Sequence, residues 1–104
     1  MSEGRAARPA AVRTVQIDNN RVRVSHWRFA AEAATGWHRH EFDYVIVPLM
    51  GGTLRLDDGQ AVTITDLEDG ESYFRPAGVE HDVLNASGHE FAFVEIELKN
   101  GASS

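Results

Sequence analysis

The 104 residues and the mass of 11.5 kDa fit a single domain with one core and leave no room for a second. The net charge of −6 argues against a general nucleic-acid surface, which needs clustered Lys and Arg. The chain has no cysteine, so disulfide scaffolds, thiolate zinc sites and cysteine nucleophiles are excluded. Any metal must therefore be held by nitrogen and oxygen ligands.

The N-terminal residues 1–13 are predicted to form a flexible tail. They contain Arg5 and Arg8 but no apolar segment of the kind a secretory signal needs. No apolar run approaches the roughly 18 residues of a membrane span, so a cytoplasmic location is the default expectation. The domain is expected over residues 14–99, followed by a second tail over residues 100–104.

Short alternating runs of apolar and polar residues, separated by turn residues, predict about eight strands and no convincing helix. The predicted strands are Thr14–Ile17, Arg21–Phe29, Trp37–Leu49, Thr53–Leu56, Gln60–Thr65, Ser72–Arg75, His81–Asn85 and Phe91–Leu98. This pattern is typical of an all-β sandwich or barrel. Because a small sheet protein must protect its edge strands, a homodimer is also expected.

The faces of the strands predict which side chains form the core. Expected core residues in the hairpin around Asp57-Asp58-Gly59 are Leu54, Leu56, Val62 and Ile64. Trp27, Trp37, Phe42 and Phe93 are expected in the core or in a dimer interface. In Arg21–Phe29 either face could point inward, whereas Glu95 and Glu97 of the last strand are expected on a solvated face.

The segment from Gly36 to Tyr44 carries the first candidate site. Residues at i, i+2 and i+6 of a strand point to the same side, which is where His38, His40 and Tyr44 fall. A pair of imidazoles facing the same way suits a metal ion. The run therefore predicts a cavity wall that carries metal ligands.

Two motifs resemble those of the cupins, small β-barrels of the jelly-roll type. The second motif is complete: Gly70, five residues, Pro76-Ala77-Gly78, two residues, His81, three residues, Asn85. The first motif shows His38, one residue and His40, then Tyr44 at a position that is usually Glu. The resemblance covers roughly residues 21–99 and implies a single-domain, cupin-type jelly-roll barrel.

The resemblance implies that His38, His40 and His81 bind one divalent metal inside the barrel. Three imidazoles leave positions open for water, oxygen or substrate, as in catalytic metal sites. Nitrogen-rich ligation suits Fe, Ni, Zn, Mn or Cu. The alternative is that the cupin scaffold persists here without a metal.

The role of Tyr44 is the main departure from the family pattern. A neutral phenol is a poor ligand, so Tyr44 is predicted to act in catalysis by a hydrogen bond to bound water or substrate. Asp43 would point inward only through a β-bulge. His26 could complete a four-nitrogen set if the even-numbered face of its strand is the inner one.

The other candidates have simpler interpretations. Pro76, Gly78 and Asn85 are expected to shape the corner and its hydrogen bonds. His89 is expected in solvent. Arg75 and Arg39 could pair with a substrate carboxylate, although alternation places Arg39 on the surface.

The first functional hypothesis is a small metal-dependent enzyme, an oxygenase or isomerase acting on a small organic substrate. Its chemistry follows from the resemblance to three-histidine iron cupins, which cleave diketones or oxidise thiols. The second hypothesis is a non-catalytic module that binds or senses a metabolite, which the missing glutamate favours. A storage role predicts an apolar cavity, which an inward His38, His40 and Tyr44 would contradict.

Overall fold

The computed structural model describes residues 8–99 and is built entirely from strands and loops over that range. Nine strands follow one another: β1 Val12–Asp18, β2 Val22–Phe29, β3 His38–Arg39, β4 Asp43–Pro48, β5 Gly52–Asp57, β6 Val62–Leu67, β7 Tyr73–Arg75, β8 Glu80–Asn85 and β9 Phe91–Leu98. The all-β prediction is confirmed. Among residues 8–99, no helix has the length and apolar character needed to cross a membrane.

The strands form two antiparallel sheets that face each other as a jelly roll. One has five strands in the order β1-β2-β9-β4-β7, and the other has four in the order β3-β8-β5-β6. Consecutive strands often lie in different sheets, so the chain crosses repeatedly between the two walls. The apolar core lies between the walls and is centred on Phe29, Leu54 and Phe91, each at most 1% exposed.

The predicted strand Trp37–Leu49 is wrong as a single element. Its first part, β3, pairs with β8 in the four-stranded sheet, whereas β4 pairs with β9 in the five-stranded sheet. The chain turns between them at residues 40–42, and this turn carries it from one wall to the other. The alternation of side chains continues across the turn, so the sequence pattern does not reveal the break.

The domain starts earlier than predicted. β1 begins at Val12, and the residues before it are bonded to the domain: the Ala11 amide donates to the Ala34 carbonyl at 3.0 Å, and Arg8 lies 3.6 Å from the Asp82 carboxylate. Of the predicted N-terminal tail, residues 8–13 thus belong to the folded unit. Residues 1–7 and the predicted tail at 100–104 lie outside the described range.

The prediction that Val62 and Ile64 belong to the core is wrong, because they are 48% and 60% exposed. The hairpin closes with Val62 opposite Asp57, which places Ile64 opposite Arg55 on the outer face. The inner positions of β6 go to residues such as Leu67 instead. β6 is also an edge strand of its sheet, so within residues 8–99 its backbone is paired on one side only.

Asn85 has the architectural role predicted for it. It is fully buried, and its amide nitrogen donates to the carbonyl groups of Phe29, Ala30 and His89 at 2.7 to 3.3 Å. Its side-chain oxygen accepts from the Ser87 amide. One side chain therefore satisfies four backbone groups where β2, β8 and β9 end, and such groups are costly to bury without partners.

We predict that Gly52→Ala destabilises the protein by about 1–3 kcal/mol, because the new methyl group overpacks the core. A Cβ at Gly52 would lie 2.4 Å from the Phe91 ring, which is fully buried. Urea unfolding followed by circular dichroism measures the loss. The control is Gly51→Ala, whose Cβ would meet the Leu67 carbonyl oxygen at an ordinary 3.6 Å. Equal losses in the two variants would contradict this account.

Candidate metal centre

The structure brings the three predicted histidines together at the seam between the sheets. His38 on β3 lies directly opposite His81 on β8 in the strand pairing. His40 follows β3 on the turn towards the other sheet. Its Nε2 atom lies 3.0 Å from Nε2 of His38 and 3.1 Å from Nε2 of His81. The candidate ligand atoms of the three imidazoles all lie within 4.8 Å of one another.

The corner of the second motif holds His40 in place. The His40 amide donates to the Val79 carbonyl, and the His40 carbonyl accepts from the Gly78 amide, both at 2.8 Å. Gly78 has φ +97°, which favours glycine because it lacks a Cβ. The backbone of the Pro76-Ala77-Gly78 corner thus anchors a residue of the first motif, as expected for an architectural role.

Two of the histidine rings have a polar contact on the side that faces away from the cluster. Nδ1 of His38 lies 2.9 Å from the Gly36 carbonyl oxygen, which can only accept, so Nδ1 carries the proton. Nδ1 of His40 faces a carboxylate oxygen of Glu95 at 3.5 Å. With its proton on Nδ1, His38 presents the lone pair of Nε2 to the cluster centre, and donation from Nδ1 to Glu95 would give His40 the same tautomer.

This arrangement fits a metal ion. The Nε2 atoms of His38 and His40 lie 3.0 Å apart, which is close enough for both to bind one cation. Two imidazoles bound at about 2.1 Å and at right angles on one ion would have their nitrogens about 3.0 Å apart. His38, His40 and His81 thus form a donor set for one divalent ion, and they offer three ligands with further positions left open.

Glu95 and Glu97 overturn the expectation that they lie on a solvated face, since each is only 5% exposed. β9 is flanked by β2 and β4, and its odd-numbered residues point between the sheets. Glu97 binds two guanidinium groups, with Arg13 at 2.9 Å and Arg23 at 2.7 Å. Glu95 accepts a hydrogen bond from Trp27 Nε1 at 3.1 Å.

The two carboxyl groups differ in their electrostatics. Burial raises the pKa of Glu95, and the nearby charge of Glu97 adds to the effect, against a smaller opposing hydrogen bond from Trp27. Burial also acts to raise the pKa of Glu97, but the hydrogen bond and charge of Arg23, with Arg13, lower it overall. The signal that sequence reasoning missed is the cross-strand register, which places Arg23 opposite Glu97.

Tyr44 lies beside the metal centre as a wall residue. Its ring stacks on His40 with centroids 3.8 Å apart and an angle of 13° between the planes, and it is 2% exposed. Burial raises its pKa, so the phenol stays neutral. Its hydroxyl has no hydrogen-bond partner within residues 8–99. A hydrogen bond from Tyr44 to bound water or substrate stays a prediction.

The two alternative ligands lie elsewhere. Asp43 accepts a hydrogen bond from the Ala77 amide at 2.8 Å, so it fastens the corner rather than entering the cavity. His26 is paired with Thr14 and Val94 on the even-numbered, outer face of its sheet and is outside the cluster. The four-nitrogen alternative is therefore wrong, because the odd-numbered face of β2 is the inner one.

The remaining candidates are mostly on the surface. His89 is exposed, as expected, and Arg39 is 63% exposed beside Glu80. Arg75 is also exposed, although its strand position faces Tyr44 across the β4–β7 pair. Of the four aromatic residues expected in a core or interface, Phe93 is buried and Trp37 is 54% exposed.

A cavity of about 370 Å³, which includes its opening to solvent, surrounds the cluster. Its polar lining is the three histidines with Thr35, Tyr44, Tyr73 and Glu95, and its apolar lining includes Trp27, Leu54 and Phe93. A storage role predicts a purely apolar cavity, and the polar lining contradicts that expectation.

We predict that chelator-treated protein loses stability as the pH falls from about 6.5 to about 4. Burial, and then the charge of His38, lower the pKa of His40 and of His81 from 6.5 to about 4. Unfolding restores the ordinary values, so in this window the unfolded chain binds more protons than the folded chain. Above pH 6.5 these histidines are neutral in both the folded and the unfolded chain, and the free energy of unfolding no longer changes with their protonation.

Melting temperatures across this pH range test the prediction. His81→Gln is expected to flatten the decline, whereas His89→Gln, on an exposed turn, is expected to leave it unchanged. A decline of equal slope in wild type and in His81→Gln would contradict the assignment.

Comparison with known proteins agrees with the fold. No protein-family model matches the chain. The β-alanine degradation protein BauB of Pseudomonas aeruginosa is 55% identical over 94 residues, which are 90% of this chain and 99% of that protein. A crystal structure of a cupin domain from Bordetella pertussis is 54% identical with a TM-score of 0.86, and the match covers 88% of this chain and 96% of that one.

More distant structures share the fold alone. The polyketide cyclase RemF from Streptomyces resistomycificus has a TM-score of 0.68 at 22% identity, over 89% of this chain and 70% of that one. The two closer relatives match over nearly their whole length, and one of them is a cupin domain. On this similarity, and on the two-sheet jelly roll that carries both motifs, the chain belongs to the cupin superfamily.

Proposed function

We propose that this protein is a metal-dependent cupin enzyme. It holds one divalent transition metal through His38, His40 and His81 and acts on a small organic substrate, in a reaction of the oxygenase or isomerase type. The observation that carries the proposal is the convergence of three Nε2 atoms, 3.0 and 3.1 Å apart, inside a cavity with room beside them. The open coordination positions of such a site are what catalysis requires.

The relatives suggest a substrate class. BauB is named for β-alanine degradation, and the present chain is 55% identical to it over 99% of its length. We therefore place the substrate among the small metabolites of β-alanine breakdown. The position of the histidines inside a partly enclosed cavity between the sheets supports this choice, because such a space suits a small molecule better than a polymer.

The residues of the chain have separate tasks in this scheme. A bound divalent metal would supply Lewis-acid or redox chemistry to an oxygen of the substrate or to dioxygen. Glu95 faces Nδ1 of His40 and holds the ring with its Nε2 lone pair towards the centre. Tyr44 covers the face of that ring and would offer its hydroxyl to a ligand in the cavity, while Leu54 and Phe93 keep bulk water out.

We predict that protein purified without chelator contains about one divalent transition metal per chain, because each chain has one three-histidine site. His81→Ala is expected to weaken metal affinity by at least about 100-fold, because two imidazoles remain where three converged. Elemental analysis gives the occupancy, and titration of apoprotein with Co(II), followed by its absorption, gives the affinity.

His26→Ala is the matched control, since His26 lies on the outer face of its sheet and outside the cluster. It is expected to bind metal as the wild type does. Full metal content in His81→Ala would refute the ligand assignment. Metal-free protein with an organic molecule bound would instead support the non-catalytic binding module, the second functional hypothesis.

We also propose that the protein forms a homodimer through the outer face of its five-stranded sheet. Cross-strand neighbours form an apolar row across all five strands, which runs Ile17, Val24, Ile96, Val45 and Phe74. Its two ends are 48% and 52% exposed. A second copy suits this uncharged row, because chains of net charge −6 repel each other elsewhere.

We predict that Ile17→Arg converts the dimer to a monomer, because it places a charge in the apolar interface. Light scattering coupled to size-exclusion chromatography measures the mass. Ile64→Arg is the control, since Ile64 is 60% exposed but lies on the other sheet. A wild-type protein of monomeric mass, or a dimeric Ile17→Arg variant, would contradict the proposal.

A further inference from the structure

Three side chains that offer hydrogen-bond donors lie together on the inner face of β4 and β7. In the strand pairing Tyr44 is opposite Arg75, and Ile46 is opposite Tyr73. Tyr44 and Tyr73 are thus diagonal neighbours on one face, with Arg75 at the outer end. No metal ligand is among them, and they line the route from the histidines to the edge of the sheet.

The two phenol groups have unused hydrogen-bonding capacity. Tyr44 is 2% exposed, and Tyr73 is partly buried against the core. Neither hydroxyl has a hydrogen-bond partner in the part of the chain that the structure describes. Both residues line the histidine cavity, and each hydroxyl oxygen keeps some access to solvent.

Arg75 adds a positive charge to the same face. Its guanidinium carbon lies 4.8 Å from the centre of the Tyr73 ring, and one of its nitrogens donates to the Phe74 carbonyl. Within residues 8–99 no carboxylate pairs with it. A guanidinium carries five N–H donors, so several remain available to a ligand.

The histidine cavity continues outward past Tyr73. A second depression, lined by Arg75 among others, shares Tyr73, Leu54 and Leu56 with the first. It opens between β6 and β7, which are the outer edges of the two sheets and are not paired with each other. Glu68, Glu71 and Asp66 also line it, so an anion is favoured only at its Arg75 end.

We propose that Tyr44, Tyr73 and Arg75 form a subsite for the carboxylate group of a short-chain substrate whose other end reaches the histidine cluster. This inference rests on the proposed function, because it assumes that the substrate occupies the cavity beside the metal. A carboxylate is the group that fits, since it only accepts hydrogen bonds and its single negative charge matches one guanidinium. Leu54 and Leu56 offer apolar contact to the methylenes between the two ends.

The test compares sodium propionate with propionamide, which has a similar shape but no charge. Binding is followed by two-dimensional ¹⁵N NMR titration, which measures millimolar affinities. The wild-type protein is expected to bind propionate about tenfold or more tightly than propionamide. Arg75→Gln is expected to remove most of this preference, and Tyr44→Phe and Tyr73→Phe are each expected to weaken propionate binding severalfold.

Arg39→Gln is the matched control, because Arg39 is an exposed arginine next to Glu80 that does not line either space. It is expected to keep the wild-type preference. Equal affinity of the wild type for the two probes would overturn the proposal. An unchanged preference in Arg75→Gln would overturn it too.

Each titration is run on chelator-treated and on metal-loaded protein, which separates this proposal from the proposed function. Preference for propionate in a protein that binds no metal would support the subsite and refute the metal-dependent enzyme. Metal binding at the histidines without any preference for propionate would do the reverse.

Discussion

The inner face of β9 is the constraint on which the rest of the molecule depends. Its four inward residues change halfway along from aromatic to acidic, with Phe91 and Phe93 followed by Glu95 and Glu97. The space between the sheets is therefore apolar at one end and polar at the other. A buried carboxylate is stable only with partners, and each of the two has its own.

The partners of these carboxylates explain several features of the other strands. Arg13 and Arg23 reach Glu97 from β1 and β2, so β1 is fixed by an ion pair as well as by its strand hydrogen bonds. Glu95 contacts Trp27 and His40, and it thereby links the wall of the cavity to the metal centre. The carboxylates of β9 thus hold the edge strand β1 in place through Glu97 and orient the ring of His40 through Glu95.

The histidine site could be predicted because its information is local. His38 and His40 are two residues apart, and the Gly70 to Asn85 motif combines fixed spacing with a corner that only certain residues can form. The strand argument that grouped Tyr44 with them started from a wrong element, since β3 and β4 lie in different sheets, although the three side chains do lie together. Alternate residues still point to the same side after the turn. The side chains of His38, His40 and Tyr44 therefore stay together.

The burial of Glu95 and Glu97 could not be predicted because it depends on distant strands. A strand with apolar residues on one face and two acidic residues on the other normally buries the apolar face. Here Arg13 lies 84 positions from Glu97, and only the register of three strands brings them together. The same limit applied to Val62 and Ile64, whose face is set by how the hairpin closes.

The histidine cluster is supported by residues from both sheets. His38 and His81 belong to one wall, whereas Tyr44, Tyr73 and Glu95 belong to the other, and His40 sits on the turn between them. The cavity is therefore shaped by how the two walls pack together. A substitution in either sheet, even one remote from the histidines, can change the distance between the two walls of the cavity.

The ion pairs of β9 also decide which way its strand faces. Both faces of β2 and β9 carry large apolar residues, with Val24 and Ile96 outside and Phe29 and Phe93 inside. A shift of one residue in pairing would exchange the faces and still bury hydrophobic side chains. It would also move Glu97 away from both arginines. The buried charges thus help to fix the register of the strands, because the observed alignment gives each carboxylate its partners.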